Sequence, residues 1–139
     1  MIRGSCLCGK VRFELNGAPQ FINHCHCSMC RKAHGAAFGS FLHASGTAFR
    51  WTSGEENVER YPSSPGNARA FCKTCGSNMP VLEGGGAHVI IPAGALDADP
   101  GVRPVVHIFT ASKASWFEIA DTLPQFEQFP PKEFWVPLE

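Results

Sequence analysis

Seven cysteines fall into three short clusters whose spacing suits metal binding. The first cluster is a C-x-C pair and the third a C-x-x-C pair, and a glycine that permits a tight turn follows each. Thiolates bind Zn²⁺ at about 2.3 Å in a tetrahedron, which puts ligand sulfurs about 3.8 Å apart. The two pairs together supply the four thiolates of a closed structural zinc site. They are Cys6 and Cys8, followed by Gly9, and Cys72 and Cys75, followed by Gly76.

The middle cluster, Cys25, Cys27 and Cys30, offers only three sulfurs. Three protein ligands with one open position are typical of a catalytic zinc site. The open position can take water or a thiol, and a coordinated thiol is deprotonated and therefore nucleophilic at neutral pH. The sequence thus predicts a second zinc, more easily lost than the first, that binds a small thiol.

Other interpretations of the cysteines stay open at this point. They could pack as small apolar core residues, or Cys72 and Cys75 could form a redox pair, although no thioredoxin-like βαβ pattern surrounds them. A fourth ligand from His24, His26 or a more distant histidine would close the second site. In an extended C-x-C segment the His26 side chain points away from Cys25 and Cys27, which argues against that residue.

Composition limits the class of protein. The chain has 139 residues, and its 12 Lys and Arg balance 12 Asp and Glu. We therefore expect one domain over residues 1–139 and neither nucleic acid nor membrane as a partner. We see no apolar stretch of membrane length and no signal peptide, and we predict a cytoplasmic location, where thiols stay reduced.

The pattern of short segments predicts the elements that position these cysteines. Lys10–Leu15 alternates, with Val11, Phe13 and Leu15 on one face and Glu14 on the polar face, as in a half-buried strand. Many short strand candidates separated by Gly and Pro predict a mostly β protein with at most short helices, of which we expect one over 28–34. We expect the aromatic tail, 126–139, to pack on the domain or on a partner subunit, so that the chain is a monomer or a homodimer.

The chain resembles the glutathione-dependent formaldehyde-activating enzyme (GFA) family, also called the centromere-protein-V type. The resemblance extends from about residue 2 to about residue 130, and the order and spacing of the cysteines are its most specific part. Its motifs are GSCLCGKVRF at 4–13, HCHCSMCRK at 24–32, FCKTCGS at 71–77 and AGALD at 93–97, with His107-Ile108, Trp116 and Leu123-Pro124 beyond them.

The resemblance implies an Mss4-like fold of antiparallel sheets and the same two zinc sites. It also implies a carbon–sulfur lyase that joins the glutathione thiol to formaldehyde as S-hydroxymethylglutathione. Because the family is broad, another thiol or aldehyde is an open alternative, as is a non-catalytic, zinc-stapled binding module of the same fold. A zinc ribbon that binds nucleic acid fits the balanced charge poorly.

Under the enzyme hypothesis, cations should bind the carboxylates of the thiol substrate. Arg31 and Lys32, directly after Cys30, are the first candidates, and Arg69 and Lys73 are further ones. The sequence does not identify a proton shuttle among His24, His26, His34 and His107. The candidates for the pocket wall are Phe38, Trp51 and Trp116.

Overall fold

Three β-sheets are the framework of the structure, a computed structural model that describes residues 1–135 and residue 137. The strands in chain order are β1 (Ile2–Ser5), β2 (Arg12–Leu15), β3 (Phe21–Cys25), β4 (Gly39–Ser45), β5 (Phe49–Ser53), β6 (Val58–Ser64), β7 (Asn67–Cys72), β8 (Asn78–Met79), β9 (Val81–Glu83), β10 (His88–Pro92) and β11 (Pro104–Ile108). Two short α-helices, α1 (Ser28–His34) and α2 (Lys132–Trp135), accompany them. Single 3₁₀ turns lie at Gly46–Ala48, Glu55–Asn57, Gly84–Gly86, Ala93–Ala95 and Thr110–Ser112.

The predicted fold class is confirmed, because nearly every pair of neighbouring strands is antiparallel. The sheet orders are β1-β2-β5, β11-β3-β4-β10-β9 and β6-β7-β8. The exception is β11, which pairs with β3 in parallel. A parallel pair needs a long connection, and here most of the chain lies between the two strands.

Two apolar clusters fill the space between the sheets. The larger includes Phe13, Leu42, Met79 and Ile91, each almost fully buried. The smaller contains Cys25, Cys30, Val106 and Ile108 and is covered by aromatic side chains of the C-terminal segment. The three-cysteine cluster is therefore built into a small core of its own.

The alternating segment 10–15 follows the prediction on its apolar face but not on its polar one. Val11, Phe13 and Leu15 are buried, as expected. Glu14 was predicted on the solvent face, but only 6% of it is exposed. The reason is that β2 is the central strand of its sheet. Arg3 and Arg50 on the flanking strands lie opposite Glu14 and cover its carboxylate, at 3.8 and 2.5 Å.

The helix after the middle cysteines has the predicted bounds. Cys27 is its N-cap residue, and Gly35 ends it in the left-handed region, with φ of 59° and a hydrogen bond from its N–H to the Arg31 carbonyl. Elsewhere the boundaries differ. No alternating pattern predicts β1, and β6 runs on through Pro62 to Ser64 although proline usually interrupts a strand. Pro62 is tolerated because β6 is an edge strand.

The described part of the aromatic tail packs against the rest of the chain. Trp135 stacks on Phe21 at 4.9 Å between ring centroids, and Phe134 contacts both Trp135 and Phe126. The end of the predicted tail, residues 136, 138 and 139, lies outside the described residues. In the part of the chain that the structure describes, no helix has the length and apolar character needed to cross a membrane.

Candidate metal centres and the adjoining cavity

The first and third cysteine clusters meet, as the spacing predicted. The four sulfur atoms all lie within 4.8 Å of one another. The Sγ atom of Cys8 is 3.5 Å from that of Cys6 and 3.8 Å from that of Cys72. Cys6 follows β1, and Cys72 is the last residue of β7, so the cluster joins two sheets. These spacings match those of ligand sulfurs around zinc. The group consists of Cys6, Cys8, Cys72 and Cys75.

Backbone and side-chain N–H groups stabilise these sulfurs. The backbone N–H of Val11 donates to Cys6 Sγ at 3.3 Å, and Asn57 Nδ2 donates to Cys72 Sγ at 3.2 Å. Hydrogen bonds chiefly from Ser77 lower the pKa of Cys75 to about 5. Such donors favour the thiolate form, which is the form that binds a metal.

Cys25, Cys27 and Cys30 form a separate group of three, also with ligand atoms within 4.8 Å of one another. Cys25 ends β3, Cys27 caps α1, and Cys30 lies in the first turn of that helix, where its N–H donates to Cys27 Sγ at 3.3 Å. No histidine, aspartate or glutamate of the described chain joins the group. The histidine that would have closed the site is therefore not found among residues 1–135 and 137.

Cys25 and Cys30 have pKa values shifted in opposite directions, and Cys30 is the one whose pKa is lowered. The hydrogen bond from the Cys25 thiol lowers the pKa of Cys30 to about 6, and the guanidinium of Arg69, with Nη2 at 3.5 Å from Cys30 Sγ, acts in the same direction. The same bond, together with burial, raises the pKa of Cys25. Negative charge in this cluster is thus centred next to Arg69.

The three sulfurs open into a cavity of about 350 Å³. Its wall is largely apolar, and Arg69 is the one Arg or Lys of the described residues that lines it. Polar side chains along the wall include Asn23, His34, His43, Asn67, Asn78 and Glu83. The apolar part of the wall includes Phe41, Met79, Ile90, Ile108, Phe109 and Phe129. The site therefore combines clustered sulfurs, one cation and a space of small-molecule size.

Several sequence candidates lie elsewhere. Arg31 donates from Nε to the Ser112 carbonyl at 3.2 Å, and Lys32 is exposed; neither lines the cavity. Nor do Phe38, Trp51 and Trp116, the predicted wall residues, and 72% of Trp116 is exposed. Lys73 lies 4.0 Å from Glu59 on the surface.

Four of the six histidines form two hydrogen-bonded chains. Asp121 accepts from His107 Nε2 at 2.9 Å, and His107 Nδ1 is 2.8 Å from His26 Nε2. This chain occupies the far side of β3, so His26 points away from the neighbouring sulfurs, as an extended C-x-C segment requires. His24 contacts Ser40 there, with Nδ1 2.8 Å from Oγ. Sequence reasoning missed Asp121, because 14 residues separate it from His107.

The second chain lies on the cavity side of β3. Asn23 Oδ1 accepts from His43 Nε2 at 2.7 Å, and His43 Nδ1 is 3.0 Å from His88 Nε2. Phe21 stacks on the His43 ring at 4.6 Å. Sequence reasoning missed Asn23 and His43, although Asn23 precedes Cys25 by two residues and alternation along a strand puts both on one face.

Burial, with a smaller effect from His88, lowers the pKa of His43 to about 3. The unfolded chain therefore takes up this proton first as the pH falls below about 6.5. The resulting stabilisation is complete above that pH and is lost progressively toward pH 3. We expect the free energy of unfolding of H43Q to depend less on pH than that of the unaltered chain, by about 1.4 kcal/mol per pH unit between pH 6 and 4. Urea unfolding at several pH values checks this, and parallel curves would contradict it.

Comparison with known proteins agrees with this geometry. The family described as glutathione-dependent formaldehyde-activating enzyme matches residues 1–112. A Halomonas elongata protein, provisionally named as such an enzyme, is 35% identical over 129 residues, which cover 86% of this chain and 81% of that protein.

Two further similarities are narrower. An uncharacterized lyase of Schizosaccharomyces pombe is 34% identical over 76 residues, covering 55% of this chain and 53% of that protein. The crystal structure of a Rhodobacter sphaeroides protein shares the fold with a TM-score of 0.58 at 24% identity, covering 73% of this chain and 97% of the other. The matched residues 1–112 include both cysteine groups and most of the cavity wall. The chain belongs to the glutathione-dependent formaldehyde-activating enzyme family.

Proposed function

We propose that this protein catalyses the reversible addition of a small thiol, glutathione or a similar compound, to formaldehyde. The observation on which this rests is the group of three sulfurs that opens into the 350 Å³ cavity, in a chain with a separate group of four. In the forward direction the thiol sulfur bonds to the carbonyl carbon, and the carbonyl oxygen becomes a hydroxyl by taking up the proton that the thiol released. In the reverse direction the carbon–sulfur bond breaks, which is the reaction of a carbon–sulfur lyase.

The donor set fits zinc in both groups. Cys6, Cys8, Cys72 and Cys75 would hold a structural zinc, and Cys25, Cys27 and Cys30 a catalytic one. When bound to the three sulfurs, zinc would act as a Lewis acid and keep an incoming thiol deprotonated at neutral pH. The open side of the second group makes that ion the more easily lost of the two.

The chain's own residues bind and orient the thiol partner. Formaldehyde offers almost no surface, so the binding free energy must come from the thiol. Apolar side chains of the cavity exclude water from it, and Arg69 places a positive charge beside Cys30, where the thiolate is expected. Asn67, Asn78 and Glu83 offer polar contacts farther along the wall.

Exchange spectroscopy on equilibrated glutathione and ¹³C-formaldehyde tests the proposal, because it measures formation and breakdown of the adduct together. We expect the protein with two zinc ions per chain to accelerate both directions above the uncatalysed rate. No acceleration, with zinc retention indifferent to thiols, would contradict the proposal and would favour the non-catalytic binding module.

The monomeric or dimeric state and the cytoplasmic location stay predictions.

Substitutions can identify the cation that binds the carboxylates of glutathione. Arg69 lines the cavity, whereas Arg31 and Lys32, which directly follow Cys30, do not. We expect R69Q to raise the KM for glutathione about tenfold, because one charge-assisted contact of about 1.4 kcal/mol is lost. R31Q and K32Q, outside the cavity wall, serve as matched controls for the loss of one positive charge. A larger effect of R31Q or K32Q than of R69Q would show that the carboxylate site predicted from the sequence is the correct one.

A further inference from the structure

Asn23 lies in the wall of the cavity, on the same face of β3 as Cys25. Asn23 and Cys25 lie on one face of β3, two positions and therefore about 6.6 Å apart along the strand. Both line the cavity, and Asn23 is only 4% exposed. This spacing leaves room between the Cys25 sulfur and the Asn23 amide for the sulfur of a thiol, the single carbon of the aldehyde and its oxygen.

A hydrogen bond from His43 fixes the orientation of the Asn23 amide. Its Oδ1 accepts from His43 Nε2 at 2.7 Å, and His43 is held by His88 at 3.0 Å and by stacking on Phe21. The side-chain contacts of the described residues give Asn23 Nδ2 no acceptor. Among those residues His26 Nδ1 is the only fully buried side-chain N or O atom without a partner, so Asn23 Nδ2 is not sealed off from solvent. Asn23 lines the cavity of the three sulfurs and also a neighbouring pocket beside Phe21 and His88. An amide whose oxygen is already engaged thus belongs to the same cavity wall as the three sulfurs, with its N–H free to donate.

We propose that Asn23 is a catalytic residue whose Nδ2–H donates a hydrogen bond to the carbonyl oxygen of the aldehyde. This inference rests on the proposed function. As the thiolate sulfur bonds to the carbon, the π electron pair of the carbonyl moves to the oxygen, and the proton released by the thiol converts that oxygen to a hydroxyl. Asn23 transfers no proton. It stabilises the negative charge that develops on the oxygen before protonation, and a preorganised donor does this without reorganising solvent.

Two variants test the donor. N23D keeps the size of the side chain and its acceptor for His43 but removes the Nδ2–H, and N23A removes the amide without adding charge. We expect kcat to fall about 10²-fold in both, with the KM for glutathione and the zinc content unchanged. N16A, which alters an exposed asparagine at a turn, is the control. A loss of zinc in parallel with activity in both variants would mean that Asn23 supports the fold, and would overturn the inference.

A spectroscopic readout is independent of turnover. In ¹H–¹⁵N spectra the Asn23 side-chain amide pair is assigned by its absence from N23D. We expect glutathione with formaldehyde to shift this pair more than glutathione alone, while the Asn16 pair stays in place. An active wild-type protein with unchanged kcat in both variants would overturn the role of Asn23 and leave the proposed function standing. A wild-type protein without activity would overturn both.

Discussion

Replacing Cys72 with alanine is expected to leave the chain without a stable fold. Cys72 is fully buried at the end of β7, and its sulfur lies 3.8 Å from that of Cys8, near the N-terminal sheet. Structural zinc contributes about 10–16 kcal/mol in small zinc domains, whereas a whole domain is stable by about 5–15 kcal/mol. The substitution also leaves the Nδ2 donor of Asn57 without its sulfur acceptor.

Circular dichroism and urea titration measure this effect directly. We expect C72A to show no cooperative unfolding transition and to retain less than one zinc per chain. Extended treatment of the unaltered protein with a strong chelator should give the same result, because it removes the same ion. A cooperative transition close to that of the unaltered protein would show that the four-cysteine group does not stabilise the fold.

Replacing Cys27 with serine is expected to abolish turnover while the fold persists. Cys27 supplies one of only three sulfurs in its group, so its loss leaves two protein ligands. It is also the N-cap of α1, where its sulfur accepts from the N–H of Cys30. Serine is a favoured N-cap residue whose hydroxyl takes over that acceptor role, so the helix should keep its cap to within about 1 kcal/mol.

The comparison of C27S with C72A separates the two cysteine groups. We expect C27S to unfold cooperatively, to bind one zinc per chain instead of two and to exchange the adduct no faster than solution does. C27A is the matched variant that loses both sulfur and cap, and it should be less stable than C27S but equally inactive. Wild-type turnover in C27S would exclude the three-cysteine group as the reactive site.

The grouping of the cysteines could be predicted because their spacing is a local property. A C-x-C or C-x-x-C pair brings two sulfurs together wherever the chain places it, and two such pairs complete a tetrahedron. The bounds of α1 follow in the same way, from a capping residue at Cys27 and a glycine after His34. In these places the sequence alone is sufficient, since few residues are involved and they are neighbours.

The surroundings of the site depend on strand pairing, which no local pattern reports. Arg69 reaches Cys30 from β7, 39 residues further along the chain, whereas Arg31 is adjacent to Cys30 in sequence but outside the cavity wall. Glu14 was misplaced for the same reason, because the arginines that cover it lie on other strands. The alternation of side chains along β3 puts Asn23 on the same face as Cys25. The orientation of its amide, however, depends on His43, which lies on the neighbouring strand β4.

The parallel pairing of β11 with β3 also sets an order of assembly during synthesis. The four-cysteine group is complete once residue 75 has emerged, but Ile108 and Phe109, which wall the cavity, follow more than 30 residues later. At about 5–20 residues per second, the ribosome leaves an interval of a few seconds. During that interval Cys25, Cys27 and Cys30 lack the strand that covers them. In the nascent chain the three sulfurs are therefore accessible also from the side that β11 later covers, and the second zinc proposed above has this additional route of entry until the last strand has formed.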